Sequence, residues 1–77
     1  MLMALAPGEI FQHTHVTQSI TTLREGDVIL EVDGNQEPLV PNRPTPVDAL
    51  VTHTLINIGT VIAQVECGHE TTDPTNA

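Results

Sequence analysis

The chain has no lysine, tryptophan or tyrosine, and only one phenylalanine and one cysteine in 77 residues. A lone cysteine excludes an internal disulfide, and a free thiol suits a reducing compartment, so the cytoplasm is the expected location. Arg24 and Arg43 are the only cations against ten acidic residues, giving a formal charge of −8 at pH 7. Such a surface repels phosphate backbones and anionic headgroups, which argues against nucleic-acid and membrane-surface partners. No apolar run approaches the roughly 18 residues of a spanning helix. Residues 1–6 lack the basic start and the length of a signal peptide and read as a lead-in. A chain this short buries only about 60% of its unfolded surface, so a metal or a second subunit is expected to supplement the core.

What is present is a β pattern. Thr, Val and Ile dominate, and branched side chains suit a pleated surface better than a helix. From Gly26 onward Gly, Pro or Asn/Asp recurs within every eight residues or so, and no 3.6-residue apolar period is sustained. Short strands are expected at 9–15, 20–23, 27–32, 47–55 and 60–67. Arg24-Glu25-Gly26 reads as a tight turn and Asp33-Gly34-Asn35 as a hairpin turn. Three prolines make residues 39–46 a loop or edge segment. Val61, Ala63, Val65 and Cys67 alternate onto one face, which places the thiol in the core as a small hydrophobe. Residues 70–77 are polar and are expected to be a disordered tail. The expectation is one all-β domain over residues 1–77, a small antiparallel barrel or jelly roll.

The histidines carry the chemistry. His13 and His15 stand two apart on a presumed strand, so both project from one face. Two neutral ring nitrogens there can reach one cation at about 2.0–2.2 Å. A bare His-X-His also fits two half-exposed polar residues on an edge strand. His53, brought across a barrel mouth, would complete a three-nitrogen set with open positions. His69, beside Gly68 and the polar tail, reads as solvated. Glu9 reads as a surface residue at a strand entry, although it lies close in sequence to the proposed site. Glu25, Asp27, Glu31 and Asp33 read as turn and outer-face carboxylates of a hairpin.

Two stretches resemble the cupin superfamily. Pro7-Gly8, His13-Thr-His15 and Gly26 resemble its first motif, in which His-X-His stands between two glycines. Leu39-Val-Pro41 through His53-Thr-Leu-Ile-Asn57-Ile-Gly59 resembles the second, in which Asn follows a His by four residues. The resemblance implies a jelly-roll barrel holding a divalent metal in its mouth, with His13, His15 and His53 at the three histidine-ligand positions. Three positions depart from the pattern. Ser19, next to Gln18, stands where a fourth ligand, Glu or His, is usual. Asn42-Arg43 replaces Gly-Asp, and Asp48-Ala-Leu50 replaces Pro-Pro-Gly. Iron sites of the three-histidine kind in cupin-like proteins host thiol oxygenation, so the lost carboxylate is compatible with catalysis.

The expected cofactor is therefore a divalent transition metal (Fe, Mn, Ni, Zn or Cu), and the expected ligand a small polar metabolite. Oxygenase- or isomerase-type chemistry follows, with Gln18 and Ser19 as catalytic donors that orient substrate or water. The alternatives are a binding or sensing module without turnover and a structural subunit. The first motif is reached within about a dozen residues, earlier than in most cupin domains, and open sheet edges make a homodimer the expected assembly.

Overall fold

The structure, a computed structural model, describes residues 1–69, with the backbone alone described at His69. It contains eight strands and no helix: β1 (Leu2–Leu5), β2 (Ile10–His13), β3 (Ser19–Glu25), β4 (Val28–Val32), β5 (Asn35–Pro38), β6 (Thr45–Val47), β7 (His53–Asn57) and β8 (Ala63–His69). Among the described residues no helix is therefore long and apolar enough to cross a membrane. The strands form two four-stranded antiparallel sheets ordered β1-β8-β3-β6 and β2-β7-β4-β5. The all-β jelly roll anticipated from the sequence is what the chain forms. Its two sheets remain open at their edges rather than closing into a continuous barrel.

Several boundaries differ from the sequence reading, each for a physical reason. The lead-in at residues 1–6 contains β1, which is ordered by pairing Leu2 with Glu66 and Leu5 with Ala63. Arg24 and Glu25 belong to β3, and the chain turns at Gly26 to leave one sheet for the other. The segment after Gly26 is thus a crossing between sheets, not the second arm of a hairpin. The true hairpin is β4–β5, where Asp33 and Gly34 take φ of 52° and 79°, the two left-handed residues of a mirror-image turn. Residues 45–47 form an edge strand despite Pro46, since β6 pairs only with β3. The expected strand over 47–55 is divided, with Val47 in β6 and the next strand starting at His53. The last strand starts at Ala63, leaving Val61 exposed ahead of it. The tail expected at 70–77 lies outside the described residues.

The core is aliphatic, as a single aromatic requires. Leu5, Leu23, Val28, Leu30, Leu39, Val47, Leu55, Ala63, Val65 and Cys67 fill the space between the sheets, with Phe11 packed against them. Burial of a leucine such as Leu55 contributes about 1.5–3 kcal/mol. The far end of the sandwich is tied by Asn57, whose Nδ2 donates to the carbonyls of Leu5 and Val61 at 2.9 Å. Its Oδ1 accepts from the Gly59 amide at 2.9 Å, so one buried amide fixes β1, β7 and the turn into β8. That leaves the opposite end, where β2 finishes and β3 and β7 begin, as the place for chemistry.

Candidate metal centre

Strand register builds the site. His13 and His53 are directly opposite across the β2–β7 pair. The alternation that sends Phe11 and His13 inward continues past the strand end to His15, while Ile10, Gln12 and Thr14 stay exposed. The loop carrying His15 is held by its carbonyl, which accepts the Leu50 amide at 2.7 Å. Three imidazoles converge as a result. The His13 ring centroid lies 4.4 Å from that of His15 and 4.2 Å from that of His53, and the latter two are 5.6 Å apart. One nitrogen from each lies within 4.8 Å of the other two.

The chemistry of this donor set fits a divalent metal. The Nε2 atoms of His13 and His53 are sealed from water and have no hydrogen-bond partner, a costly state unless something else takes the lone pair. The Nδ1 atom of His53 lies 3.2 Å from the Val51 carbonyl, a contact that suits an Nδ1–H tautomer and leaves Nε2 free to coordinate. Phe11 packs its ring edge-to-face against His13 at 4.7 Å, an apolar floor that keeps the site dry from below. Burial, then repulsion from His53 and His15, lowers the His13 pKa to about 4, so this ligand is neutral at pH 7. No carboxylate joins the three imidazoles in that cluster among the described residues.

A pH dependence follows for the metal-free protein. Between the ordinary histidine value of 6.5 and about 4, the unfolded chain binds a proton at His13 that the folded chain refuses. Stability is therefore complete above pH 6.5 and declines as pH falls toward 4. The expected loss is about 1–2 kcal/mol, since water at the mouth screens part of the effect. Urea midpoints across that window, compared with those of His13→Gln, measure it. Parallel pH profiles for the two proteins would count against a proton-excluding site.

The other residues singled out in the sequence separate cleanly. Ser19 opens β3 at the same end of the sandwich, is 2% exposed, and its Oγ is buried without a hydrogen-bond partner. Gln18 precedes it, half-buried. Glu9 lies beyond the opposite end of β2, where its Oε1 accepts the Ala6 amide at 2.9 Å. Glu25, Asp27 and Asp33 are exposed, and Glu31 accepts from Gln36 at 2.9 Å. Cys67 is buried in the core, and burial raises its thiol pKa. His69 stands opposite Ser19 in the β3–β8 register, and the solvated side chain expected there lies outside what is described. Sequence reasoning missed Thr21, 1% exposed, whose Oγ1 is also buried without a hydrogen-bond partner of good geometry. It lies beside the Cys67 thiol, which is a weak acceptor. The available signal was its spacing of two from Ser19, which puts both hydroxyls on one inward face.

No family model and no curated protein matches the chain. Solved structures do. The protein TT1209 from Thermus thermophilus superimposes with a TM-score of 0.75 at 25% identity, over 86% of this chain and 65% of that one. A cupin superfamily protein from Desulfitobacterium hafniense gives 0.74 at 18% identity, over 91% and 64%. A de novo designed double-stranded β-helix gives 0.75 at 17% identity, over 91% of this chain and 96% of the design. The chain thus spans just under two thirds of the two natural structures. The fold is the double-stranded β-helix, shared with the cupin superfamily protein and with the design. On that fold this chain carries a three-imidazole cluster that fits a divalent metal at the end where β2 finishes.

Proposed function

We propose that the chain is a small cupin metalloprotein in which His13, His15 and His53 hold one divalent transition metal. The observation that carries this reading is the convergence of three imidazoles, two of them with buried Nε2 atoms that nothing else satisfies. When bound, such an ion supplies Lewis-acid polarisation or, if it is iron or copper, access to O₂ chemistry. The remaining work falls to the chain. Gln18 and Ser19 orient a small polar metabolite or a water molecule beside the imidazoles, and oxygenase- or isomerase-type turnover is the activity proposed. A single cysteine, which can form no internal disulfide, is consistent with a cytoplasmic setting. Elemental analysis of tag-free protein is expected to find about one transition-metal ion per chain. A protein free of bound metal, and with no uptake on dialysis against Zn²⁺, Mn²⁺ or Fe²⁺, would overturn the reading.

A binding or sensing role without turnover is favoured by one observation, the serine where a carboxylate ligand is usual. A screen of small acids and sugars against the metal-loaded protein separates the two, because stabilisation without product indicates binding alone.

The partner proposed is a second copy of the chain. Of the four sheet edges, β5 and β6 carry Pro38 and Pro46, which blunt further pairing. The other two, β1 and β2, are joined by a short connection and carry no proline and no charge. Beside them Met1, Leu2 and Ile10 are exposed at 79%, 61% and 64%. An uncharged edge lets two acidic chains meet without like-charge repulsion, and antiparallel pairing of a strand with its own copy satisfies a two-fold axis. Light scattering at micromolar concentration is expected to give twice the 8.3 kDa chain mass, reverting to the monomer in Ile10→Lys. A wild-type monomer would count against this assembly.

A further inference from the structure

We infer that Leu50 and Val51 form a backbone clamp that positions two of the three imidazoles, and that Leu50 adopts a left-handed backbone to build it. The inference rests on the metal-centre reading above and deepens it. It assigns part of the metal affinity to a turn outside the ligand set.

The clamp begins with a conformation that its side chain does not favour. Among the described residues, those other than glycine with positive φ are Asp33, Asn42 and Leu50. Short polar side chains tolerate this region through local hydrogen bonds, whereas a leucine gains nothing there. Leu50 has φ of 64° and is 72% exposed, so core packing does not hold it in that state. The reason lies in its backbone groups.

The register shows what those groups do. β2 and β7 pair His13 with His53. One step further the Thr14 and Thr52 hydroxyls meet at 2.7 Å, so the pairing continues past the strand ends and sets Val51 beside His15. Yet the His15 carbonyl accepts the Leu50 amide, at 2.7 Å. Two residues of one segment thus stand against one residue of the other. That is a β-bulge with a left-handed first residue, an arrangement that ordinarily uses glycine and that re-aims the side chains around it. The Val51 amide closes the turn behind it, 3.4 Å from the Asp48 carbonyl.

Each half of the bulge serves one imidazole. His15 lies two residues beyond the end of β2, and the Leu50 amide fixes its carbonyl. Val51 packs against the core, which anchors its own carbonyl 3.2 Å from Nδ1 of His53. A proton on Nδ1 donates to that carbonyl, and Nε2 keeps the lone pair that a metal needs. With residue 50 at negative φ the bulge would be lost. The His15 carbonyl would lose its donor, and the Val51 carbonyl would turn away from the ring.

The test compares Leu50→Gly, Leu50→Asn and Leu50→Pro in the full chain, with Co²⁺ affinity measured by chelator competition. Glycine and asparagine accept positive φ, so the first two should bind Co²⁺ within about twofold of wild type. Proline holds φ at about −65° and has no amide hydrogen. Leu50→Pro should therefore bind about 10- to 100-fold more weakly, the range for losing a group that supports a metal-bound histidine. Nitrogen NMR of the metal-free chain adds a readout that general destabilisation does not move. His53 should be the Nδ1–H tautomer in wild type, Leu50→Gly and Leu50→Asn, and a mixture of tautomers in Leu50→Pro. An Nε2–H tautomer in wild type, or unchanged Co²⁺ affinity in folded Leu50→Pro, would overturn the clamp. So would a tenfold loss in Leu50→Gly, which would give the role to the side chain. The tautomer and the glycine variant decide the matter even if Leu50→Pro does not fold. Failure of wild type to take up Co²⁺ defeats the metal-centre reading, whereas the tautomer, read without metal, tests the clamp by itself.

Discussion

Alanine at position 53 is expected to lower metal affinity by at least about 100-fold, since loss of even a group supporting a metal-bound histidine costs 10- to 100-fold. His53 faces His13 in the β2–β7 register and is 1% exposed, so its removal leaves a buried gap in the cluster. Metal binding should also be visible as stability. A ligand present at about 1,000 times its dissociation constant adds about 4 kcal/mol to the folded state. For a domain of this size that corresponds to a melting-point rise of roughly 15 °C or more. Wild-type protein should show this rise on metal addition and lose it to a chelator, while His53→Ala should melt at one temperature in both conditions. His53→Gln retains more of the buried volume and guards against a variant that fails to fold. Chelator competition gives the affinities directly. Stoichiometric, tightly held metal in both variants would remove His53 from the ligand set.

How much of this could be read from the sequence depended on the range of the interaction. His13 and His15 were legible as a pair because alternation is local. The Asp33-Gly34 turn was legible because two consecutive left-handed residues demand those side chains. His53 was legible as a candidate third ligand, but its placement directly opposite His13 is a pairing across forty residues that no local pattern encodes. β1 went unread because Leu2 to Leu5 is uniformly apolar, without alternation, and becomes a strand through its register with β8. Val61 shows the opposite error, in which an alternation correct from Ala63 onward was extended two residues into a loop. Ser19 stood out only through the fourth-ligand position of the resembled motif, whereas Thr21 looks like an ordinary strand residue and is set apart by its burial.

Gly26 provides the sharpest test of the fold itself, because two independent constraints meet there. Its φ of 96° is a backbone state that residues with a Cβ rarely adopt. An added Cβ would also stand 2.9 Å from both Cα and Cβ of Ala63, and a backbone atom cannot rotate away. This is where the chain passes from β3 to β4, between the two sheets, against the first residue of β8. Gly26→Ala is therefore expected to cost about 2–5 kcal/mol, adding a left-handed backbone penalty of about 1–2 to an overpacking penalty of about 1–3. In a chain this short that lowers the melting temperature by roughly 10 °C or more. Gly34 supplies the control, since its φ of 79° imposes the first penalty while nothing lies within 4 Å to impose the second. Urea midpoints should fall in the order wild type, Gly34→Ala, Gly26→Ala. Equal costs at the two positions would mean that Ala63 does not press on the crossing, and the packing described at the far end of the sandwich would be wrong. Because that end is the one opposite the imidazoles, whatever fraction of Gly26→Ala remains folded should still bind metal with wild-type affinity.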